Sequence, residues 1–484
     1  MLQIDNGATK KMKNGEIKEY RSIARTMIFG ACITSLTLAG CSAVPDKQYQ
    51  QVGFQSRSCT IDKVGRRADC PATQAGVTEN NDGRVERRFS VAFLEYCELE
   101  SEACKGPGQL FAPNQLHAIL QKIENSNTAG EATFVAVYVH GWHHSASPDD
   151  ENVKYFDHML ARYKDALSRA GQANTQVLGV YVGWRGESIS TPVASVFTIA
   201  NRARAADSIA TSGTMASDLA DIARAVQKGP TANRMIVTGH SLGGRILSRA
   251  LLPTFMKTDQ PLGEKTLIVT LNAAIGADAY YDLYHDSTRL APTASTPTWL
   301  NITSRDDWTT RRTYPFAHLL GNMHPDHPGD DSSGSTIGHY PSYKTHQISF
   351  ADCNAVGCGD KSRIAALLTE NYWLPAPYHF FVLQYVPESL EAGANTCGLI
   401  REYPYNQNAT EAMTATGICT KMVGSESPHT GRKQFPANGH LWNIEGDSTV
   451  IDTDGLQATG TPVHNATTQT NLATILVRLL YANQ

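Results

Sequence analysis

The sequence predicts an α/β fold in which a mostly parallel sheet is flanked by helices and a large insertion precedes the last strand. Three observations carry this expectation. Short, near-continuous apolar runs such as Phe134-Val135-Ala136-Val137-Tyr138-Val139 and Val177 to Val182 read as strands covered on both faces. Amphipathic stretches with helical spacing separate them, so the strands are joined by crossovers and run parallel. The run Met235-Ile236-Val237-Thr238 passes through Gly239-His240-Ser241-Leu242-Gly243 into a further helix, a strand–turn–helix whose glycines make room for a serine at the tip.

The chain begins with a different kind of segment. Arg21 and Arg25 precede an apolar run from Met27 to Gly40 that is too short to span a bilayer but suits a signal-peptide core, and Met12 offers a second possible start. It ends in Leu38-Ala39-Gly40-Cys41, which resembles the lipobox of bacterial lipoproteins. The resemblance implies that residues 1–40 are removed, that Cys41 carries lipid, and that Ser42, in place of an aspartate, directs the protein to the outer membrane. An ordinary secretory signal or an uncleaved anchor, with Cys41 unmodified, is the alternative. Net charge is −4 and the pI is about 6.5, so nothing electrostatic points to nucleic acid as a partner. Of ten cysteines, Cys32 and Cys41 belong to this leader. The other eight fall as neighbours, Cys59 with Cys70, Cys97 with Cys104, Cys353 with Cys358 and Cys397 with Cys419. An even number in an exported chain points to disulfides, with the connectivity left open.

Residues 41–87 are polar and are expected to form a tether and irregular structure. Core elements are expected over 88–308. Phe89 to Tyr96 alternates like an edge strand, Leu116 to Glu124 suggests a helix, and the strand at 134–139 ends in His140-Gly141-Trp142-His143-His144. Ser147-Pro148-Asp149-Asp150 should open a helix whose apolar face is Val153, Phe156, Leu160, Tyr163 and Leu167. A long alanine-rich helical region ends near Gln227. After Ser241 the amphipathic helix is expected to end before Pro253, and strands follow at Leu267 to Leu271 and Trp299 to Ser304. The alternation stops over 309–440, which is too long for a plain loop and reads as an insertion or cap. Over 441–484 it returns with a strand or hairpin at Leu441 to Ile444 and Ser448 to Ile451. A helix follows, with Leu472, Ile475, Leu476, Leu479 and Leu480 on one face.

A serine hydroxyl is a weak nucleophile, so it needs a histidine base, an acid to orient that base, and N–H donors for the developing oxyanion. With Gly239-His240-Ser241-Leu242-Gly243 after one strand and His140-Gly141-Trp142 after an earlier one, the chain resembles the α/β-hydrolase superfamily of serine esterases and lipases. That resemblance implies an α/β-hydrolase fold, Ser241 as nucleophile, and oxyanion donors at the Trp142 and Leu242 N–H groups. His140 and Gly141 would then brace the oxyanion loop. The family order places the acid next, at Asp307 or Asp306 after the strand ending in Ser304. Asp307 is preferred because Asp-Trp-Thr resembles the acid loop of related hydrolases. One of the two could instead cap a turn. The histidine must follow the last strand and precede the last helix, which His464 does. His440, His429 and His346 lie earlier.

The resulting expectation is carboxylic ester hydrolysis through an acyl-enzyme on Ser241, acting on a small-molecule or lipid ester and needing no cofactor. Amide hydrolysis or acyl transfer could use the same triad, and a binding lipoprotein could keep the fold without turnover. The clusters His140, His143, His144 and His324, Asp326, His327, Asp330, Asp331 lack the spacing of a His-Glu-x-x-His metal site.

Overall fold

The computed structural model describes residues 43–61, 68–70, 85–188, 198–285, 297–305, 307, 309–319, 325–344, 346–349, 382–385, 395–399, 417–422, 440–446 and 470–481. In chain order the first half contains β1 (Gln55–Ile61), β2 (Ala68–Asp69), β3 (Val85–Glu95), α1 (Pro113–Thr128), β4 (Thr133–Val139), α2 (Glu151–Arg169), β5 (Gln176–Gly183), α3 (Ile199–Ser212) and α4 (Met215–Lys228). Then come β6 (Arg234–His240), α5 (Leu242–Thr258), β7 (Thr266–Leu271), α6 (Tyr281–His285), β8 (Trp299–Ser304) and α7 (Tyr314–Leu319). The last third adds β9 (His346–Ser349), β10 (Val382–Tyr385), β11 (Asn395–Leu399), β12 (Gly417–Met422), β13 (Leu441–Gly446) and α8 (Thr470–Tyr481).

The strands form one sheet in the order β11-β12-β10-β9-β13-β8-β7-β6-β4-β5-β3-β1-β2, and from β9 to β3 every neighbouring pair is parallel. β4, β7, β8 and β13 are buried at every position. This is why Phe134 to Val139 of β4 reads as a near-continuous apolar run: side chains on both faces of such a strand leave water. One face packs Val135, Val137, Val237 and Ile268 against Ile119 of α1, Ile209 of α3, Leu219 and Ile222 of α4, and Ile246 of α5. The other packs Phe134, Ala136, Ile236 and Val269 against Phe156, Leu160 and Leu167 of α2 and Ile475 and Leu476 of α8.

Several expectations are corrected. β1 lies inside the stretch expected to be irregular, where it pairs antiparallel with β3 from Gln55↔Val91 to Ile61↔Val85, so β3 is an interior strand rather than an edge. Residues 43–50, expected to be a tether, are docked. The buried Glu95 carboxylate accepts the Tyr49 and Gln50 N–H groups at 2.8 and 3.0 Å, and Asp46 accepts those of Glu98 and Leu99. α2 begins at Glu151, not at Pro148, because Asp150 caps it: its carboxylate takes the Asn152 N–H and also the Ser145 N–H, both at 2.8 Å. α5 continues through Pro253 to Thr258, held by Phe255, which is fully buried against Trp299. The alanine-rich region is two helices broken at Gly213, where an added Cβ would strike the Gly108 carbonyl. Strands β9 to β12 of the insertion extend the sheet beyond β13.

Disulfides join Cys59 to Cys70 and Cys97 to Cys104. Cys397 and Cys419 face each other in the antiparallel register of β11 and β12. Cys353 and Cys358 lie outside the described residues, as do Cys32, Cys41 and Ser448 to Ile451. Among the described residues no helix is long and apolar enough to cross a membrane.

Candidate active site

β6 delivers Ser241 to the carboxyl edge of the sheet, where the chain reverses into α5. Ser241 is the N-cap of that helix, with φ 54° and ψ −118°, a region where an L side chain is strained. The turn is locked by backbone bonds. The Ser241 N–H donates to the Leu271 carbonyl and the Ser241 carbonyl accepts the Ala274 N–H, both at 3.0 Å. The two motif glycines are sterically required. A Cβ on Gly239 would lie 2.6 Å from the Gly243 carbonyl oxygen, and one on Gly243 would lie 2.1 Å from that of Val139. Three residues into α5, the buried Arg245 grips Asp207 of α3 with two 2.7 Å bonds, fixing the helix behind the serine.

The loop after β4 closes on the same point. A Cβ on Gly141 would meet the Ser241 Cβ at 2.8 Å, so only glycine lets this backbone approach the serine. Among the described residues, the backbone N–H groups of Trp142 and Leu242 donate to no backbone acceptor. Both flank the serine at the mouth of a helix N-terminus, the arrangement that receives an anionic oxygen. The Trp142 indole N–H is buried and finds no partner among the described residues.

His140 is fully buried, its ring stacked 5.6 Å from both Trp184 and Tyr181. Its Nε2 accepts the Trp184 N–H at 3.1 Å, which assigns the proton to Nδ1, 2.9 Å from the Gly141 carbonyl. Burial pushes its pKa down to about 4, so the ring is neutral and braces the Gly141 loop from below. His143 and His144 are engaged by Glu187 and Asp150 at 2.9 and 3.0 Å.

Asp307 follows β8, two strands from β6 at the same edge, about 10 Å away at the ordinary strand spacing. It is completely buried. Its carboxylate accepts the Thr309 and Thr310 N–H groups at 3.0 and 3.3 Å and the Thr310 hydroxyl, capping the π-helical turn Thr309–Thr313. Asp306 lies outside the described residues.

His440 is placed at the wrong end. Its carbonyl accepts the Thr298 and Trp299 N–H groups at the amino ends of β13 and β8. The six residues of β13 separate it from the carboxyl edge by about 20 Å. His346 opens β9, paired with Ile444, two residues short of that edge. His464 and His429 lie outside the described residues. β13 pairs directly with β8, and the carbonyl of its last residue, Gly446, accepts the Arg305 N–H at 2.8 Å, two residues before Asp307.

Sequence reasoning did not single out His339, which lies in the 3-10 turn Ile337–His339 of the insertion. Its Nε2 lies 3.0 Å from the Thr310 hydroxyl, itself bonded to Asp307. Since that hydroxyl's proton goes to the carboxylate, His339 donates to its oxygen. Burial lowers the His339 pKa to about 4, against the opposing pull of Asp307. Only the acid's position could have drawn attention to it, because no motif marks it.

Among the described residues no group of three or more His, Cys, Asp or Glu side chains could hold a metal. Asp326 pairs with Arg249, Asp330 caps the 3-10 turn Asp331–Gly334, and His327 stacks on Tyr281. No family model matches the chain, and no curated protein sequence matches it.

Proposed function

We propose that this chain is a serine hydrolase of the α/β-hydrolase type that cleaves carboxylic esters through an acyl-enzyme on Ser241, and that it is held in the bacterial envelope, at the outer membrane, by lipid on Cys41. The observation that carries the reading is the strained Ser241 at the N-terminus of α5, with Gly141 against its Cβ and beside it the Trp142 and Leu242 N–H groups, which donate to no backbone acceptor among the described residues.

In this reading the histidine removes the Ser241 proton as the hydroxyl oxygen attacks the ester carbonyl, and the two N–H groups receive the oxyanion. The same histidine returns the proton to the leaving alcohol, and water then releases the acid. His464 is the base by its place after β13, and Asp307 orients it. His339 is the second candidate, favoured by its bond to Thr310 beside Asp307. Amide hydrolysis or acyl transfer would use the same groups with a different leaving group or acceptor.

Labelling folded protein with a fluorophosphonate tests the proposal. An adduct on Ser241 that Ser241→Ala abolishes is expected, and an unlabelled folded protein would leave only the non-catalytic reading. His464→Ala should slow labelling by about ten-thousand-fold, the scale of a lost triad member. Full labelling in His464→Ala with none in His339→Ala would transfer the base role to His339.

A further inference from the structure

The described chain starts at Ala43, two residues beyond Cys41, and it starts docked. The Val44 N–H donates to the Ser188 carbonyl at 3.1 Å, and the Val44 carbonyl accepts from Arg185, which follows β5. Asp46 and Glu95 hold the next residues, and the buried Gln50 amide donates to the Ala146 carbonyl at 2.7 Å, on the loop that begins at His140. A cavity between Val44, Asp46 and Tyr49 on one side and Glu95 and Trp184 on the other holds about 10 Å³, no more than one water needs. This segment is therefore part of the folded body and offers no slack.

Among the described residues, the hydrogen bonds from this segment to the sheet and its loops are at the carboxyl edge. Leu94, Val182, Val139 and Gly239 are partners in one row across β3, β5, β4 and β6, with Glu95 one residue beyond that row and Ser241 two. Three strand spacings separate them, about 14 Å. Two peptide units keep the Cys41 Cα within about 7.6 Å of that of Ala43. Of the three large apolar side chains exposed among the described residues, Leu99 and Val52, at 51% and 42%, flank the docked segment. The third, Val85, opens β3 at the opposite end.

Resting on the lipidated Cys41 of the proposed function, we infer that the docked 43–50 segment holds the carboxyl edge of the sheet against the leaflet, so that Ser241 acts on acyl esters resident in that membrane. Leu99 and Val52 sit at the lipid interface.

Hydrogen exchange of the acylated full chain on phosphatidylethanolamine–phosphatidylglycerol vesicles, compared with the same protein in detergent, tests the orientation without using activity. Amides of 97–101 and 142–147 should exchange at least severalfold more slowly on vesicles, and those of 130–133 and 263–266, at the amino edge, should not change. Slowing at the amino edge, or at neither edge, in protein whose Cys41 carries acyl chains by mass spectrometry overturns the inference. An unacylated Cys41 overturns it together with the anchor. Edge protection in a protein whose Ser241 does not label supports the orientation and defeats the hydrolase reading alone. A second variant inserts twenty Gly/Ser residues between Ser42 and Ala43, a linker with a reach of about 25 Å. Hydrolysis of phospholipid in the vesicles should fall about tenfold and that of p-nitrophenyl acetate in solution should not. Equal vesicle rates with and without the linker overturn the inference.

Discussion

Ser241 holds a backbone conformation that costs an L-residue about 1–3 kcal/mol. Glycine adopts it freely, so Ser241→Gly should raise the unfolding free energy by about 1 kcal/mol in urea titrations while abolishing labelling; a fall would mean that bonds made by the side chain outweigh the strain. His140 makes the stability depend on pH. It protonates near 6.5 when unfolded and only near 4 when native, so between those values the unfolded chain binds more protons. Its contribution is complete above pH 6.5 and is lost as the pH falls toward 4, roughly 3 kcal/mol in all. His339 adds to the same slope. Urea titrations at pH 7 and pH 4.5 should show the loss, and His140→Gln should reduce it.

At the scale of elements, α2 approaches the sheet over Gly179 of β5, where a Cβ would lie 2.4 Å from Leu160 Cδ1 and 2.9 Å from Phe156. Gly179→Ala should cost about 1–3 kcal/mol by overpacking. Combining it with Leu160→Ala should cost less than the sum of the two, since the second change vacates the space; additivity would show that the helix shifts instead. Elements were legible where the chain is covered on both faces or has one apolar helical face. Phe134 to Val139, Trp299 to Ser304 and the Val153–Leu167 face all follow from that patterning. β1 was not legible, because Gln55-Ser56-Arg57-Ser58 is half-exposed and polar and owes its strand state to β3. The docking of 43–50 was hidden for a related reason. Its partners Glu95 and Arg185 are ordinary charged residues until folding places them at one edge. The turn at Ser241 and the approach of Gly141 to it were legible because steric demand leaves glycines at fixed offsets. No such demand marks His339, and His440 could be set aside only once the direction of β13 was known.

At the scale of the whole molecule, both described disulfides staple the β1–β3 side of the sheet, closing loops of 11 and 7 residues of sequence separation. Closing loops of that length is worth about 2–3 kcal/mol each. Reduction should lower the unfolding free energy by that order and loosen 43–50 first, because Cys97 precedes the Glu98 and Leu99 N–H groups that hold Asp46. Hydrogen exchange with and without reductant reads both effects; protection of Tyr49 and Gln50 that survives reduction would separate the docking from the disulfide. The parallel pairing of β8 with β13 has a consequence for assembly. β3 to β8 come from one run of chain, but Trp299 waits for Leu441. Until synthesis or export has delivered residues 441–446, β8 presents a bare row of N–H and C=O groups, a template for pairing with the wrong chain. The closing of that edge is a late, long-range event, slow by its loop-closure entropy. It is also the event that sets the Gly446 carbonyl against the Arg305 N–H, two residues before Asp307, so a molecule that has not finished its sheet has not yet made that bond.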